Sequence, residues 1–106
     1  MYAGNALSCA AAVETQHVLR EKGPIENSEK MGVRLRDNLR SIQRAVYTTG
    51  LIGDVRGLGL MVEMEFAPEA ESGIKNKFCQ QAVEEGLLML GCSTYEVVRF
   101  VPPECY

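Results

Sequence analysis

Strict alternation of apolar and polar side chains marks one segment of this chain as a β-strand with a single buried face. The alternation runs through LMVEMEF, which begins at Leu60. In an extended chain Val62 and Met64 point to one side, and Glu63 and Glu65 point to the other. The fold must therefore cover one side of this strand with an apolar layer, and we interpret the two glutamates as an exposed face.

Helical spacing of apolar residues predicts what precedes this strand. Between Met31 and Ile42, apolar residues recur at intervals of four, four and three, which places them on one face of a helix. Pro24 is well placed to begin this helix. Asn5 is the predicted N-cap of an earlier helix that ends near Gly23. The first half of that earlier helix consists of small residues, so we expect close packing on several of its sides.

The second half of the chain predicts one more helix and two more strands. Ile74, Phe78 and Ala82 share a helical face, and Gly86 ends that helix. The segments LLMLGCS and VVRFVP are predicted strands, joined by a turn at residues 93–96. Short connections favour antiparallel pairing. The predicted order is two helices, two strands, a helix and two strands. The predicted fold class is therefore α+β, with helices on one face of a small, mostly antiparallel sheet.

Composition excludes several classes of function. The 106 residues carry a net charge of -3, which gives no reason to expect nucleic acid or a membrane as a partner. No apolar run approaches the roughly 20 residues of a spanning helix, and the N-terminal segment lacks the positive charge of a secretory signal. The single histidine and the scattered cysteines do not predict a metal site. The cysteines, expected to be reduced in a cytoplasmic protein, are Cys9, Cys79, Cys92 and Cys105.

A permanent cation interrupts the most β-prone segment. Arg99 shares one face of its predicted strand with Val97 and Val101, and two prolines end that strand. A guanidinium binds a carboxylate through two parallel hydrogen bonds, which an ammonium does not match. Two interpretations remain open at this point. Arg99 either serves a functional site, or it forms a structural salt bridge or protects an exposed sheet edge.

Three stretches then fall into one family pattern, in the family's order and at about its spacing. They are MYAGNALSCAAAVET, GLIGDVRGLGLMVEMEF and EEGLLMLGCSTYEVVRFVPP. They resemble the C-terminal part of class III pyridoxal-phosphate-dependent aminotransferases of the 4-aminobutyrate and ornithine type. The resemblance spans nearly the whole chain and about the last quarter of a family member. It implies that residues 1–106 are the C-terminal small domain of a fold-type I enzyme, with residues 1–23 as a connecting helix from the large domain.

The resemblance also implies an activity. Family members move an amino group from an amino acid such as 4-aminobutyrate or ornithine to a 2-oxo acid, act as dimers, and bind pyridoxal phosphate (PLP) mainly through the large domain. The family's catalytic lysine precedes this region, so no catalytic residue is assigned here and the chain alone is expected to be inactive. The alternative is a non-catalytic, stand-alone small domain that acts as a protein-interaction module.

Individual residues match the family pattern to different degrees. Arg99 corresponds to the arginine of the family's R-hydrophobic-x-P-P motif, which lies at the active-site mouth and pairs with a glutamate of the large domain or with a substrate carboxylate. Arg56 also matches, and we interpret it as structural, tying the strand turn to nearby carbonyls. Met1 occupies the position of the family's phosphate-binding threonine, and Ala3 stands where glycine is usual. No cofactor-binding residue is therefore assigned.

Overall fold

The helices and strands follow the predicted order of two helices, two strands, a helix and two strands. The computed structural model describes residues 4–92 and 94–104. The α-helices within these residues are α1 (Ala6–Glu21), α2 (Pro24–Ala45) and α3 (Ile74–Glu84). A short 3-10 turn, Tyr47–Thr49, follows α2. The strands are β1 (Ile52–Leu58), β2 (Met61–Phe66), β3 (Leu90–Cys92) and β4 (Val97–Phe100).

The strands form one sheet with β2 and β4 at its centre. Their order across the sheet is β1-β2-β4-β3, and each neighbouring pair is antiparallel. α2 lies against β1 and β2, while α3 lies against β3 and β4. Side chains of both helices join the same core cluster on one face of the sheet. The predicted α+β class, with helices on one face of a small antiparallel sheet, is confirmed.

The helices begin and end where local sequence signals place them. The side chain of Asn5 accepts a hydrogen bond from the backbone N–H of Leu7 at 3.0 Å, so it caps α1 as predicted. Gly23 adopts a φ of 58°, which turns the chain sharply before Pro24 opens α2. Beyond α3, Gly86 adopts a φ of 84° and ends the helix.

β2 provides the centre of the hydrophobic core. Val62 is 0 % exposed, and Met64 and Phe66 are each 3 % exposed, so the predicted alternation is confirmed. Val98 of β4, also 0 % exposed, lies beside Met64 in the sheet. Leu39 of α2 is buried against this face. Burying a side chain of this size contributes roughly 1.5–3 kcal/mol, so these few residues supply much of the stability.

The apolar face of α2 is covered over only part of its length. Leu39 is buried, but Ile42 is 51 % exposed. An apolar groove of ≈ 440 Å³ runs beside Ile42, between α2, α3 and the sheet. The predicted helical stripe is therefore confirmed as one face of α2, although the groove leaves its C-terminal end open.

α1 extends away from the sheet. Every residue of α1 except Leu19 is exposed, and none is buried. Leu7 is 81 % exposed and Val13 is 58 % exposed. The prediction that the small residues of this helix pack closely on several sides is wrong for this chain by itself, because its main neighbour among the described elements is α2 alone.

A glycine in α2 allows the helix to touch the turn between β1 and β2. Gly32 is buried, and a Cβ added there would lie 1.9 Å from the carbonyl oxygen of Gly59. Arg36, one helical turn later, donates from Nη1 to the same oxygen at 3.2 Å. The backbone N–H of Leu60 donates to Oγ of Ser28 at 3.3 Å. These contacts set the height of α2 above the sheet.

We expect Gly32→Ala to destabilise the chain. In most helix interiors the same change stabilises the helix by about 1 kcal/mol. The added Cβ would overlap backbone atoms, and such overpacking typically costs about 1–3 kcal/mol. Ser41→Ala, at an exposed position of the same helix, is the control and should stabilise by about 0.5 kcal/mol. Urea unfolding followed by circular dichroism measures both changes. A gain of stability in Gly32→Ala would contradict the contact.

Candidate functional site

Cross-strand register gathers charged side chains on the sheet face opposite the helices. Arg56 of β1 is paired with Glu63 of β2, and Glu63 is paired with Arg99 of β4. Asp54 and Glu65 are paired in the next row. Because alternate residues of β2 form the core, these five side chains lie on the face away from α2 and α3. We call Asp54, Arg56, Glu63, Glu65 and Arg99 the charged cluster.

Arg99 is bound by Glu63. Its Nε donates to Oε1 of Glu63 at 2.9 Å, and its Nη2 donates to the same oxygen. The side chain of Arg99 is 36 % exposed and that of Glu63 is 22 % exposed. The pKa of Arg99 is raised, chiefly by this hydrogen bonding to Glu63. The guanidinium is therefore a fixed cation at a half-buried position.

Glu63 is shared between two arginines. Its Oε2 lies 3.4 Å from Nε of Arg56. Nη1 of Arg56 also contacts Oε2 of Glu65 at 2.6 Å and Oδ2 of Asp54 at 3.0 Å. The pKa of Arg56 is raised, first by the hydrogen bond to Glu65 and then by the one to Asp54. With two guanidinium groups and three carboxylates, the charged cluster carries one net negative charge.

An open cleft lies over Arg99. Its volume is ≈ 450 Å³. Arg99, Glu63 and Arg56 form its charged side, and the remaining lining residues are Cys92, Tyr95 and Val97. Cys92 is a free thiol, and Tyr95 is 69 % exposed. The cleft therefore combines a guanidinium, a paired carboxylate and an aromatic ring in a setting that suits a small polar ligand.

The turn that carries Tyr95 is anchored to the start of α3. The carboxylate of Glu96 accepts hydrogen bonds from the backbone N–H groups of Gly73 and Lys75, at 3.0 and 2.9 Å. Nζ of Lys75 donates to the carbonyl oxygen of Tyr95 at 2.9 Å. The backbone bond from Lys75, followed by the one from Gly73, lowers the pKa of Glu96. Glu96 thus determines where one wall of the cleft lies.

The structure decides between some of the sequence interpretations of the two arginines. The edge-strand interpretation of Arg99 is wrong, because β4 lies inside the sheet between β2 and β3. The structure does show a salt bridge, which Arg99 forms with Glu63 of the same sheet. A role of Arg99 toward a substrate stays a prediction.

Arg56 does not tie the turn to carbonyls within the described residues. It pairs with carboxylates, since its strand faces two acidic residues of β2.

Sequence reasoning missed two features of the site. Glu63 and Glu65 were expected to be a plain exposed face, yet both are half-buried ion-pair partners. Glu96 was not singled out, because its partners on α3 lie more than 20 residues away along the chain. The strand register reveals the partners of Glu63 and Glu65, and the packing of α3 beside β4 reveals those of Glu96. Met1 and Ala3, which the resemblance places at the family's phosphate site, lie outside the described residues.

The described part of the chain shows neither a metal-binding cluster nor a membrane-spanning helix. Within residues 4–92 and 94–104, no group of three or more histidine, cysteine, aspartate or glutamate side chains is arranged to hold a metal ion. In the same part of the chain, no helix is long and apolar enough to cross a membrane. The charged cluster and its cleft are therefore the candidate site with the most polar groups in position.

Comparison with known proteins gives the family. The sequence model of the class-III aminotransferases matches residues 1–106. The chain belongs to this family. The resemblance drawn from the three sequence stretches is thus confirmed.

The curated relatives are named as aminotransferases that act on similar amino acids. The chain is 41 % identical to the 5-aminovalerate aminotransferase DavT of Pseudomonas aeruginosa, over 96 % of the chain and 25 % of that protein. It is 31 % identical to the 4-aminobutyrate aminotransferase GabT of Escherichia coli, over 96 % of the chain and 25 % of that protein. The chain therefore spans about a quarter of the length of the relatives it matches.

Solved structures agree with this assignment. The ornithine aminotransferase of Plasmodium yoelii superposes with a TM-score of 0.82 at 31 % identity, covering 100 % of this chain and 26 % of that one. An ornithine aminotransferase of Toxoplasma gondii, solved with partial occupancy of PLP at its active site, gives a TM-score of 0.80 at 32 % identity. It covers 95 % of this chain and 23 % of that one. The small α+β fold is that of aminotransferases.

Removing the anchor at Glu96 should change how stability depends on pH. Because the folded-state pKa of Glu96 lies below the ordinary value of 4.5, its ionised form stabilises the fold above that value. The contribution is lost as the pH falls through the folded pKa. We therefore expect wild type to exceed Glu96→Gln in stability by a constant amount near neutrality, and this difference should shrink on acidification below about pH 4.5.

Urea unfolding at a series of pH values measures this difference. Glu69→Gln removes an exposed carboxylate for which the described residues show no hydrogen bond, and serves as the control, with little effect on stability near neutrality. If the difference between wild type and Glu96→Gln were the same at pH 3 and pH 7, the anchor would not act through its ionised carboxylate.

Proposed function

We propose that this chain is the C-terminal small domain of a PLP-dependent transaminase that moves an amino group from an amino acid to a 2-oxo acid. The donor is 4-aminobutyrate, ornithine or a similar compound. Family membership and the relatives named for 5-aminovalerate, 4-aminobutyrate and ornithine support this proposal. Under it, residues 1–23 connect the small domain to a large domain, and the chain alone is inactive.

Arg99 is the proposed substrate-binding residue. The observation that carries this assignment is its position: a guanidinium on an interior strand, half-exposed, at the wall of an open cleft. Nε and Nη2 are used by Glu63, whereas Nη1 has no hydrogen bond within the described residues. One edge of the guanidinium therefore remains for a substrate carboxylate, which it would bind through two hydrogen bonds.

The cofactor is proposed to be bound mainly outside this chain. The described lysines do not fit it, because none lines the cleft. Nζ of Lys75 donates to the backbone of Tyr95, and Nζ of Lys77 pairs with Glu71. Lys22 and Lys30 are exposed on or beside the helices away from the cleft. When bound, PLP carries the amino group between the two substrates. This chain's share is to position a carboxylate through Arg99.

The proposal extends to assembly and location. A dimer is proposed from the family resemblance, and the exposed apolar side chains of α1 support a contact surface there. A cytoplasmic location is proposed because the described cysteines, Cys9, Cys79 and Cys92, are free thiols. The net charge of -3 keeps nucleic acid and membrane surfaces outside the proposed partners.

Loss of Arg99 should affect catalysis more than folding. The test uses a joined enzyme, in which this chain replaces the C-terminal quarter of the Pseudomonas aeruginosa relative. Arg99→Leu should lower kcat/KM for the substrate whose carboxylate it binds by about 30-fold to several thousand-fold. The reason is that removing one partner of such a contact costs about 2–5 kcal/mol. Arg99→Lys should recover only part of the loss.

Steady-state kinetics with amino donors that carry or lack a second carboxylate measure the effect. Arg40→Leu, at an exposed position of α2 where the guanidinium lies 3.9 Å from Asp37, is the control and should retain near-normal kinetics. The isolated 106-residue chain with added PLP should show no transamination. If Arg99→Leu kept near-normal kcat/KM with every donor, Arg99 would have only a structural role in its strand.

A second candidate function is protein interaction without catalysis. The observation that favours it is the exposure of α1, in which no residue is buried. If this surface binds a second copy, the 106-residue chain should self-associate in sedimentation, and Val13→Glu should reduce the association by placing a charge in the contact. Glu14→Gln, at the next exposed position, is the control. A clean monomer at high concentration would argue against the interaction module and against α1 as a dimer surface.

A further inference from the structure

Tyr95 supplies the aromatic wall of the open cleft over Arg99. It is exposed, and it lines the cleft together with Val97 and Cys92. In the sheet Cys92 is the register partner of Val97, whereas Arg99 is paired with Leu90. The aromatic wall therefore lies at the turn between β3 and β4, and the charged wall lies further along β4. A ligand in the cleft has a fixed cation on one side and an aromatic residue on the other.

The backbone around Tyr95 is held in place by neighbouring elements. The carbonyl oxygen of Tyr95 accepts hydrogen bonds from Nζ of Lys75 and from the backbone N–H of Val97, each at 2.9 Å. The backbone carbonyl of Glu96 accepts one from Phe66 of β2 at 2.9 Å, and its carboxylate binds the start of α3. A side chain on a fixed backbone loses less freedom when a ligand binds, so this preorganisation favours a binding role for Tyr95.

The proposed reaction limits which cationic group of a donor can meet this ring. The relatives are named for 5-aminovalerate and ornithine, and both compounds carry a terminal amino group and a carboxylate. The terminal amino group must reach the cofactor, which is proposed to be bound mainly outside this chain. When the carboxylate binds Arg99, the amino group next to that carboxylate is the cation that stays in the cleft. Ornithine has this second amino group, and 5-aminovalerate lacks it.

We propose that Tyr95 is a specificity-determining residue that favours donors with an ammonium group next to the carboxylate. The negative face of its ring attracts that ammonium in a cation–π contact, while Arg99 binds the carboxylate. This inference rests on the proposed function and adds the class of donor, a diamino acid such as ornithine in preference to a simple ω-amino acid. Glu96 is a positioning residue, because it acts through Tyr95.

Substitutions at Tyr95 should change the preference between the two donors. Tyr95→Leu should weaken binding of L-ornithine about two- to fivefold, the size expected of an exposed cation–π contact, with little change for 5-aminovalerate. Tyr95→Phe keeps an aromatic face and should retain most of the preference. Glu96→Gln should lose part of it, because the turn is held less firmly. Attraction of the ammonium to the charged cluster through space would instead survive Tyr95→Leu, since that substitution changes no charge.

The experiment titrates the 106-residue chain with L-ornithine and with 5-aminovalerate at about pH 6.5, where the amino groups are protonated, and at constant ionic strength. The ligand control is 5-amino-2-hydroxypentanoate, which carries a neutral hydroxyl where ornithine carries the second ammonium. NMR gives the dissociation constants, and the ring current of an aromatic residue 95 should move the Cα–H signal of bound ornithine upfield, except in Tyr95→Leu. Tyr47→Leu, at an exposed tyrosine that does not line the cleft, is the protein control and should change neither constant.

The outcomes separate the inference from the function on which it rests. If Arg99→Leu weakens binding of both donors and Tyr95→Leu weakens that of ornithine alone, the inference stands. If both donors bind through Arg99 but Tyr95→Leu leaves the ratio of their dissociation constants unchanged, Tyr95 does not set selectivity and Arg99 keeps its role. If Arg99→Leu changes neither constant, or if neither donor binds, the assignment of Arg99 fails and the inference fails with it.

Discussion

The register of β2 against its two neighbours is the constraint on which both the core and the candidate site depend. The two-residue period that buries Val62 and Met64 also presents Glu63 to the opposite face. A shift of one residue would place glutamates under α2 and valine in the charged cluster. The core fixes the register because apolar burial strongly favours one pairing over the other. The position of each charge beside its partner is thus a consequence of packing on the far side of the sheet.

Much of the fold follows from local sequence. The N-cap at Asn5, the start of α2 at Pro24 and the alternation in β2 depend on residues close together in the chain, and each was predicted. The contact between Arg99 and Glu63 joins residues 36 positions apart. It depends on which strands are neighbours, and on the β1-β2-β4-β3 order in particular. Nothing in the segment VVRFV identifies that partner, so the arginine was recognised as unusual while its glutamate was not.

The exposure of α1 shows a different limit of sequence reasoning. Small residues permit close approach, but they do not say which surface approaches. Ala10 and Ala11 are exposed along with the rest of the first turns of α1. The family relatives are about four times as long as this chain, which matches about a quarter of their length. The small residues of α1 therefore predicted close packing on several sides, and the described residues do not provide it.

The anchor between Glu96 and the start of α3 links two parts of the molecule that the charged cluster does not connect. The loop from Ala67 to Gly73 leads from β2 into α3, and the backbone of its last residue donates to Glu96. The length of this loop therefore sets the position of Tyr95, although the loop lies outside the cleft. Insertions or deletions in it would alter the aperture through which a ligand enters while leaving every cleft residue in place. Variation of loop length thus gives a way of tuning ligand size separately from ligand charge.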